Sequence, residues 1–435
     1  MTAGVDPAGI SPAGTEDVLV VGAGIGGLVT ALSLHAAGIG VRVIESVPEV
    51  LPLGVGINLL PHAVRELDEL GLLAELEASG IACAELAYFT KRGERIWAEP
   101  RGRAAGYRWP QVSIHRGTLQ QVLLAAARTR LGPGRILVGH HLAAFEHAND
   151  AVVAHVIDRD TGASRGSLRT PLLIAADGIH STVRRTLHPD EGGPKWNGAV
   201  MWRGVVDAPP FLDGKTMIMA GHTRQKFVCY PIRALDDGRQ RINFIAELRF
   251  DATTLAERED WNRPGVLADF LPRFEGWTFD WLDVPGMIRA APQTWVYPMV
   301  DRDPLPHWRS GRVTLLGDAA HPMYPIGSNG ASQAILDARV LTGCILRHGA
   351  GEQALQAYEG IRREATAKIV LANRGQGPEA AMQLVEDRAP DGFARLHDVV
   401  SEAELAAIAD SYKRLAGFAI AELNALPPGP FDPGP

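Results

Sequence analysis

Two aspartates, Asp177 and Asp318, each end a short apolar run and stand beside a glycine. Ligands of open α/β sheets bind outside the carboxyl ends of the strands, so both carboxylates can face one crevice. Turns that pair aspartate with glycine are common, and either aspartate alone is weak evidence. Small residues follow Asp318 over 327–332, where they would let backbone N–H groups approach a flat ring.

A glycine-rich turn near the start of the chain adds a phosphate site. The apolar run Val18–Val21 predicts a buried strand, and Gly22, Gly24 and Gly27 follow it. These positions suit a tight turn, a close approach of the backbone to a pyrophosphate, and close packing of the next helix. Glu45 ends the second predicted strand, near the spacing expected of an acid that binds a ribose hydroxyl. This stretch alone does not distinguish NAD from FAD.

The three stretches together, in this order, point to FAD. They resemble the motifs of the class A flavoprotein aromatic hydroxylases, the single-component FAD-dependent monooxygenases, and among these the phenazine hydroxylases. The resemblance runs over residues 17–374. The matching stretches are Leu51–Asn58, Ser113–Leu119, Phe211–Met217, Tyr297–Trp308 and Gly317–Ala338.

The resemblance implies a role for each matched residue. It places Gly22, Gly24 and Gly27 at the FAD pyrophosphate and Glu45 at the adenosine ribose. It brings Arg116 to the FAD, Asp177 and Gly178 to both FAD and the nicotinamide cofactor, and Asp318 to the ribityl chain. It sets Gly330, Ala331 and Ser332 along the isoalloxazine ring. The other predicted cofactor-binding residues are Gly26, Ser46, Gly56, Gln120 and Gly317.

An aromatic substrate needs flat apolar walls and a few polar groups that orient it. The predicted substrate-binding residues are Met201, Trp202, Tyr230, Tyr297, Tyr324 and Pro325, each of which has core packing as its alternative. Four cations are candidates for holding a substrate carboxylate, although a solvated surface charge is the commoner role of such residues. They are Arg203, Arg224, Lys226 and Arg289.

The resemblance implies the reaction as well. NAD(P)H reduces FAD, oxygen forms a hydroperoxide on the flavin, and a planar aromatic or N-heteroaromatic acid is hydroxylated, with or without loss of its carboxylate. Because the cofactor carries the chemistry, we predict no catalytic side chain and no metal site. The expected setting is secondary metabolism.

The implied fold is α/β, with a Rossmann-like FAD-binding domain of the para-hydroxybenzoate hydroxylase type, an interleaved antiparallel sheet for the substrate and a C-terminal helix. We expect disordered tails at 1–16 and 426–435. The predicted FAD-binding segments are 17–80, 105–190 and 301–370; the substrate domain takes 81–104 and 191–300, and a helical segment takes 371–425.

Composition agrees with an ordinary globular enzyme. The chain has 435 residues, 46% of them hydrophobic, and a net charge of −7, which gives no reason to expect nucleic acid or an anionic membrane as a partner. No apolar run is long enough to span a bilayer, and no signal peptide is evident. Cys83, Cys229 and Cys344 are too far apart for a redox pair. We therefore expect a cytoplasmic protein, whose oligomeric state the sequence leaves open.

Two other function classes stay open at this stage. Another FAD-dependent oxidoreductase, such as a reductase, an epoxidase or a halogenase, would share the fold. The segment Gly276–Trp281 lacks the tryptophan motif expected of a halogenase, and a disulfide reductase would need a nearby cysteine pair. A flavin-bearing protein that sequesters an aromatic metabolite would bind both ligands without turnover.

Overall fold

The computed structural model describes residues 17–251, 263–375, 379–415 and 419–427. The predicted tail 1–16 lies outside the described residues, as does all but the beginning of the tail 426–435. No helix in the described ranges is long and apolar enough to cross a bilayer.

Strands and helices are mixed along the chain up to the last strand, and helices follow it. In chain order the strands are β1 (Val18–Val21), β2 (Val41–Ile44), β3 (Gly56–Leu59), β4 (Ile81–Cys83), β5 (Glu85–Phe89), β6 (Arg95–Pro100), β7 (Gln111–His115), β8 (Ile136–Leu137), β9 (His141–Ala148), β10 (Ala151–Ile157), β11 (Ser164–Thr170), β12 (Leu173–Ala175), β13 (Lys195–Ala208), β14 (Thr216–His222), β15 (Gln225–Ala234), β16 (Gln240–Arg249), β17 (Thr278–Phe279), β18 (Leu282–Asp283), β19 (Thr294–Asp301), β20 (Arg309–Ser310) and β21 (Val313–Leu315). The α-helices are α1 (Ile25–Ala36), α2 (Pro61–Glu69), α3 (Leu73–Ser79), α4 (Arg116–Leu131), α5 (Thr182–Leu187), α6 (Leu267–Phe274), α7 (Val284–Ala290), α8 (Gly330–His348), α9 (Glu352–Arg374), α10 (Ala380–Arg388), α11 (Glu402–Leu415) and α12 (Ile420–Ala425). Short 3-10 helices lie at Gly102–Ala105, Gly317–Ala319, Ile326–Ser328 and Leu396–Asp398.

A six-stranded sheet brings the three sequence motifs side by side. Its order is β20-β21-β12-β1-β2-β8, and β1 pairs in parallel with both β2 and β12, while β12 pairs in parallel with β21. The strands β1, β12 and β21 are fully buried apolar runs, as expected for a parallel sheet covered on both faces. Because parallel strands end at the same edge, Gly22, Asp177 and Asp318 lie at neighbouring strand ends.

A seven-stranded sheet, of order β19-β13-β16-β15-β14-β5-β6, forms the second layer. Its strands are antiparallel except for the β14–β5 pair. Side chains alternate between its two faces, as the period of a strand requires. Phe227 and Cys229 of β15 pack in an aromatic core with helices α6 and α7, whereas Lys226, Val228 and Tyr230 point to the opposite face.

The C-terminal helices cover part of that opposite face. Met382 and Val385 of α10 and Leu405 of α11 share a core cluster with Met219 and Tyr230 of the sheet. This architecture agrees with the predicted fold class: an α/β unit with a largely parallel sheet, an antiparallel-rich second sheet and a helical C-terminal segment. The sequence predicts one final helix over 400–424, but the described residues there form two, α11 and α12.

Candidate active site

A main cavity of about 360 Å³ lies between the strand-end motifs and the seven-stranded sheet. One wall consists of backbone and small residues from the six-stranded sheet, including Gly24, Gly178 and Gly317. The facing wall consists of side chains from β13 to β16. The two sheets thus both contribute to this cavity.

The glycine turn after β1 is tightly packed at two of its positions. Gly22 has φ of +102°, a conformation that glycine adopts without strain. A Cβ atom on Gly27 would lie 1.9 Å from the carbonyl oxygen of Gly22, so α1 can pack on β1 only if residue 27 is glycine. A Cβ on Gly24 would meet nothing within 4 Å. That open space borders the main cavity.

Two side chains brace the turn. Glu45 accepts a hydrogen bond from the backbone N–H of Ala23, with the N and Oε2 atoms 2.7 Å apart, and Gln120 donates through Nε2 to the Ala23 carbonyl oxygen at 2.8 Å. The Ser46 hydroxyl donates to the other oxygen of Glu45 at 3.0 Å. Glu45, Ser46 and Gln120, all predicted cofactor-binding residues, therefore lie at the glycine turn.

The two aspartates at the strand ends differ in their surroundings. Asp318 is exposed, and it lines the main cavity. Asp177 is partly covered, and its Oδ2 accepts from the backbone N–H of Thr182 at 2.8 Å, at the start of α5. The other oxygen of Asp177 is buried and accepts no hydrogen bond from the described residues. Protein atoms around each carboxylate restrict its solvation and raise both pKa values.

A buried carboxylate that the sequence did not single out holds the Asp318 motif in place. Asp337 of α8 accepts from the backbone N–H of Gly317 at 3.1 Å, from His321 at 2.5 Å and from Arg362 at 2.7 Å. Burial alone would raise the pKa of Asp337, but His321 and Arg362 outweigh it and hold the pKa at about 2. His321 is therefore a structural partner of Asp337.

These surroundings fit FAD. The backbone beside Gly24 is open, and the N-terminus of α1 has neither a side-chain cap nor an acidic residue in its first turn. An anionic pyrophosphate is favoured at such a helix end. Asp318 is exposed within the cavity, and Asp177 has an oxygen with no donor among the described residues. Both can accept hydrogen bonds from ligand hydroxyl groups.

The remaining predicted cofactor-binding residues fall into two groups. Arg116, Gly178, Gly330 and Ala331 line the main cavity together with Gly26, Gly56 and Gly317. Ser332 is fully buried, and its hydroxyl accepts from the backbone N–H of Leu60 at 3.3 Å, so it joins α8 to the start of α2.

Gly56 is on β3, in a three-stranded sheet of order β3-β7-β4, and it contacts the seven-stranded sheet. A Cβ atom at this position would lie 2.6 Å from Cβ of Asn243 and 2.9 Å from the Tyr230 ring. Its N–H donates to Asn243 Oδ1 at 2.7 Å, and its carbonyl oxygen accepts from the Tyr230 hydroxyl at 2.8 Å and from Arg203 Nη2 at 2.6 Å. The absence of a side chain at residue 56 is thus required by sheet-to-sheet packing.

The predicted substrate-binding residues are only partly brought together. Met201, Tyr230 and Pro325 line the main cavity. The prediction for Trp202 is wrong: strand alternation turns it to the other face of β13, where it stacks on Phe270 with ring centroids 5.0 Å apart.

Two tyrosines lie near the cavity without lining it. Tyr324 is buried behind Met201 and Met299, and burial raises the pKa of its hydroxyl to about 12. Tyr297 lies beneath the Arg203 guanidinium, 5.5 Å from its ring centroid. Neither tyrosine is therefore among the described residues that would contact a substrate in the main cavity.

The four candidate cations also divide. Arg224 and Arg289 are exposed and paired with Asp251 and Glu275, as expected of surface charges. Arg203 and Lys226 line the main cavity, so the expectation of a solvated surface charge is wrong for them. Both project from the cavity face of the seven-stranded sheet because they alternate with residues of the aromatic core.

Sequence reasoning missed much of the cavity wall. The missed residues share the cavity face of the seven-stranded sheet or cover it: Met217, Met219, Val228, Ile245, Glu247, Met299 and Glu379. The alternating pattern of β14 and β15 is a usable signal for the residues on those two strands. Glu379 lies far along the chain and carries no local signal.

Comparisons with known proteins agree with this site. A family described as an FAD binding domain matches residues 15–373. The phenazine 1,6-dicarboxylic acid hydroxylase PhzS of Lysobacter antibioticus is 45% identical over 403 residues, which cover 92% of this chain and 97% of the relative. A 3-amino-4-hydroxybenzoate 2-monooxygenase of Streptomyces cremeus is 32% identical over 367 residues, covering 81% and 84%. The solved structure of Klebsiella pneumoniae HpxO complexed with FAD and uric acid has a TM-score of 0.71 at 26% identity, covering 95% of this chain and 98% of HpxO.

The fold and the cavity define an FAD-dependent aromatic hydroxylase, and the predicted resemblance is confirmed. The chain belongs to the FAD-binding-domain family that these relatives represent. It is an FAD-dependent monooxygenase, and as in that family NAD(P)H supplies the electrons and molecular oxygen is the co-substrate.

Proposed function

We propose that this enzyme hydroxylates a planar, phenazine-like aromatic acid whose carboxylate lies toward Arg203. The observation that carries the proposal is the state of the Arg203 side chain. Its Nη2 donates to the Gly56 carbonyl oxygen at 2.6 Å, while its Nε is buried with no hydrogen-bond partner among the described residues. A buried donor without a partner is costly, and a carboxylate from the substrate would satisfy it.

The walls around Arg203 suit a flat ring. Methionines from two strands, Met201 of β13 and Met217 and Met219 of β14, face the cavity together with Val228 and Ile245. Thioether side chains are flexible and make favourable contacts with aromatic rings. The cavity volume of about 360 Å³ falls in the range of small-molecule sites.

The chain's own residues bind and orient the substrate. Bound FAD, once reduced by NAD(P)H, supplies the activated oxygen for hydroxylation. Arg203 orients the acid, the apolar walls exclude water, and the C-terminal helices cover the sheet beside the cavity. Hydroxylation at the carbon that bears the carboxylate would replace it with a hydroxyl and release carbon dioxide.

The relatives support this choice of substrate class. The relative at 45% identity is named for a phenazine dicarboxylic acid, and the one at 32% identity is named for a substituted benzoate. Both named substrates are aromatic acids. Arg203, a cation that lines the cavity beside the flavin motifs, is the feature of this chain that matches an acidic substrate.

The predicted roles of the cofactor-binding residues belong to the same proposal. The glycine turn with Glu45 holds the pyrophosphate and adenosine ribose, and Asp318 holds the ribityl chain. We also propose the domain division at 17–80, 105–190 and 301–370 for FAD and 81–104 with 191–300 for the substrate. A cytoplasmic setting agrees with three buried cysteines, all with free thiols.

The test is oxidation of NADH and NADPH by the purified flavoprotein, with and without phenazine-1-carboxylate and smaller aromatic acids. The proposal predicts acid-stimulated oxidation and a product that gains about 16 mass units, or loses about 28 if a hydroxyl replaces the carboxyl group. Tight binding of the acids without any product would contradict it and favour a sequestering protein.

A further inference from the structure

Three buried charges lie in the wall of the main cavity. Lys226 of β15 forms ion pairs with Glu247 of β16, with Nζ and Oε2 3.0 Å apart, and with Glu379 at the start of α10. The three side chains are exposed by 6%, 7% and 12%. All three line the main cavity, so a ligand there meets this charged cluster directly.

The charged cluster lies at the opposite end of the sheet face from the contact with Gly56. Lys226 is directly opposite Glu247 in the strand register, whereas Tyr230 is opposite Asn243, next to Gly56. Four residues along a strand correspond to about 13 Å. Val228 and Ile245 lie between the two ends, and the Arg203 backbone is opposite Ile245, from where its guanidinium reaches the Gly56 end.

The cluster has more acceptors than donors. Two carboxylates share one ammonium group, and the second oxygen of each carboxylate has no donor among the residues the structure describes. Arg249 is a further cation beside the cluster: it lines a small cavity of about 20 Å³ with these residues and donates to the Asn197 carbonyl oxygen. With both carboxylates ionised, Lys226, Glu247 and Glu379 together bring an excess of negative charge to the main cavity.

We propose that the Lys226–Glu247–Glu379 cluster determines substrate specificity: it accepts a hydrogen-bond donor or a cation on the far edge of the aromatic acid and rejects a second carboxylate there. This inference rests on the proposed function, in which the carboxylate of the acid lies toward Arg203. The cavity is then polarised, with Arg203 and Arg116 near the flavin motifs and the carboxylates at the far end.

The Lys226 ammonium favours the ionised form of the buried Glu379 carboxylate. Burial raises the pKa of Glu379, and the Lys226 ammonium opposes that rise. An amino, ring N–H or alkylated ring nitrogen of the substrate would give the free carboxylate oxygens the donor or positive charge they lack. A carboxylate in the same place would meet like charges in a water-poor wall, which is strongly unfavourable.

The test compares three compounds with one ring system: phenazine-1-carboxylate, 6-aminophenazine-1-carboxylate and phenazine-1,6-dicarboxylate. For wild type we expect 6-aminophenazine-1-carboxylate to have the highest kcat/KM. Phenazine-1,6-dicarboxylate should have the lowest, at least about tenfold below that of the amino compound. Glu247→Gln and Glu379→Gln each leave Lys226 one carboxylate partner. In both variants the ratio of kcat/KM for the amino compound to kcat/KM for the dicarboxylate should shrink about tenfold or more.

Glu386→Gln is the matched control, because Glu386 is on the same helix α10 and pairs with Lys91 outside the main cavity. Its selectivity should equal that of wild type. Each variant is first checked for FAD content and for melting temperature. If one glutamine variant loses FAD, the other variant is used instead, and its Kd values for the three compounds are measured from flavin absorbance changes. Those Kd values then show whether selectivity has changed.

Two results would overturn the inference while the proposed function stands. One is a wild-type enzyme whose kcat/KM for phenazine-1,6-dicarboxylate equals its kcat/KM for 6-aminophenazine-1-carboxylate. The other is unchanged selectivity in both glutamine variants with normal FAD content and normal turnover of phenazine-1-carboxylate. Failure to hydroxylate any of the three compounds, with no flavin perturbation, would instead overturn the proposed function.

Discussion

The two walls of the main cavity are made of different parts of the polypeptide. The wall from the six-stranded sheet presents backbone, glycines and the strand-end carboxylate Asp318. The wall from the seven-stranded sheet presents whole side chains, mainly methionines with Arg203 and Lys226. The proposed function assigns the cofactor, which many enzymes share, to the first wall and the particular substrate to the second.

This difference has a physical origin. Phosphate and ribose are bound by backbone N–H groups and a few carboxylates at strand ends, so the requirement is local in sequence. A substrate wall is formed by alternate residues of several strands, whose neighbours are set by the register of the sheet. Substitutions in the first wall should therefore affect FAD binding and folding, and those in the second wall should affect substrate selection.

The largest effect is expected for Gly27→Ala. Its methyl group would lie 1.9 Å from the Gly22 carbonyl oxygen, so α1 must move away from β1. We expect little or no folded flavoprotein, with any folded fraction destabilised by about 3 kcal/mol or more. The measurements are the ratio of flavin to protein absorbance and the melting temperature.

Gly24→Ala is the control for that variant. A Cβ there meets no protein atom within 4 Å, so the apoprotein should melt at the wild-type temperature while FAD binds more weakly. Equal melting temperatures for the two apoprotein variants would contradict the packing role of Gly27.

Asp337→Asn should give the next largest effect. The substitution leaves Arg362 and His321 without their buried anionic partner, which costs about 3 to 5 kcal/mol of unfolding free energy. Because the folded-state pKa of Asp337 lies below its ordinary value of 3.8, its stabilising contribution is complete above pH 3.8 and is lost as the pH falls toward about 2.

Urea unfolding of both proteins at about pH 7, about pH 5 and about pH 3 checks this window. The difference between wild type and the variant should be equal at the two higher pH values and smaller at the lowest. A difference that grew toward low pH would have the wrong sign for this network.

Asp318→Ala should weaken FAD retention without unfolding the protein. The side chain is exposed in the cavity and makes no side-chain hydrogen bond to another described residue, so the melting temperature of the apoprotein should stay near wild type. The loss of a charged hydrogen-bond acceptor corresponds to about 1.5 to 3 kcal/mol in FAD affinity. Titration of apoprotein with FAD measures it, and a variant that purifies fully yellow and active would count against the assignment.

Arg203→Gln should mainly affect the aromatic acid. We expect KM for the acid to rise about tenfold or more, with a smaller change for Arg203→Lys, which keeps the charge. Arg224→Gln is the matched control, since this arginine is exposed and paired with Asp251. Equal KM values for Arg203→Gln and the control would remove Arg203 from the substrate site.

The sequence predicts the FAD wall well for the same physical reason. Gly22, Gly24, Asp318 and the strand that precedes each motif are local patterns, and the structure brings them to adjacent strand ends. Asp337 accepts a hydrogen bond from Gly317, which lies 20 residues earlier in the chain, and no local sequence pattern marks this residue.

The substrate wall was predicted less completely. Met201 and Tyr230, two of the predicted substrate-binding residues, line the cavity, but Trp202 points to the other face of its strand. The cavity-lining positions of Arg203 and Lys226 depend on which face of the sheet is covered, and Glu379 comes from a helix more than a hundred residues further along the chain. Such relations between distant segments are set by tertiary packing.

The most direct test of the central claim is turnover of phenazine-1-carboxylate under ¹⁸O₂ with NADH or NADPH, followed by mass analysis of the product. A monooxygenase predicts a hydroxylated product that carries one ¹⁸O atom, about two mass units above the product made in ordinary oxygen. Oxidation of the nicotinamide cofactor with the acid recovered unchanged and unlabelled, for this acid and for smaller aromatic acids, would contradict the account.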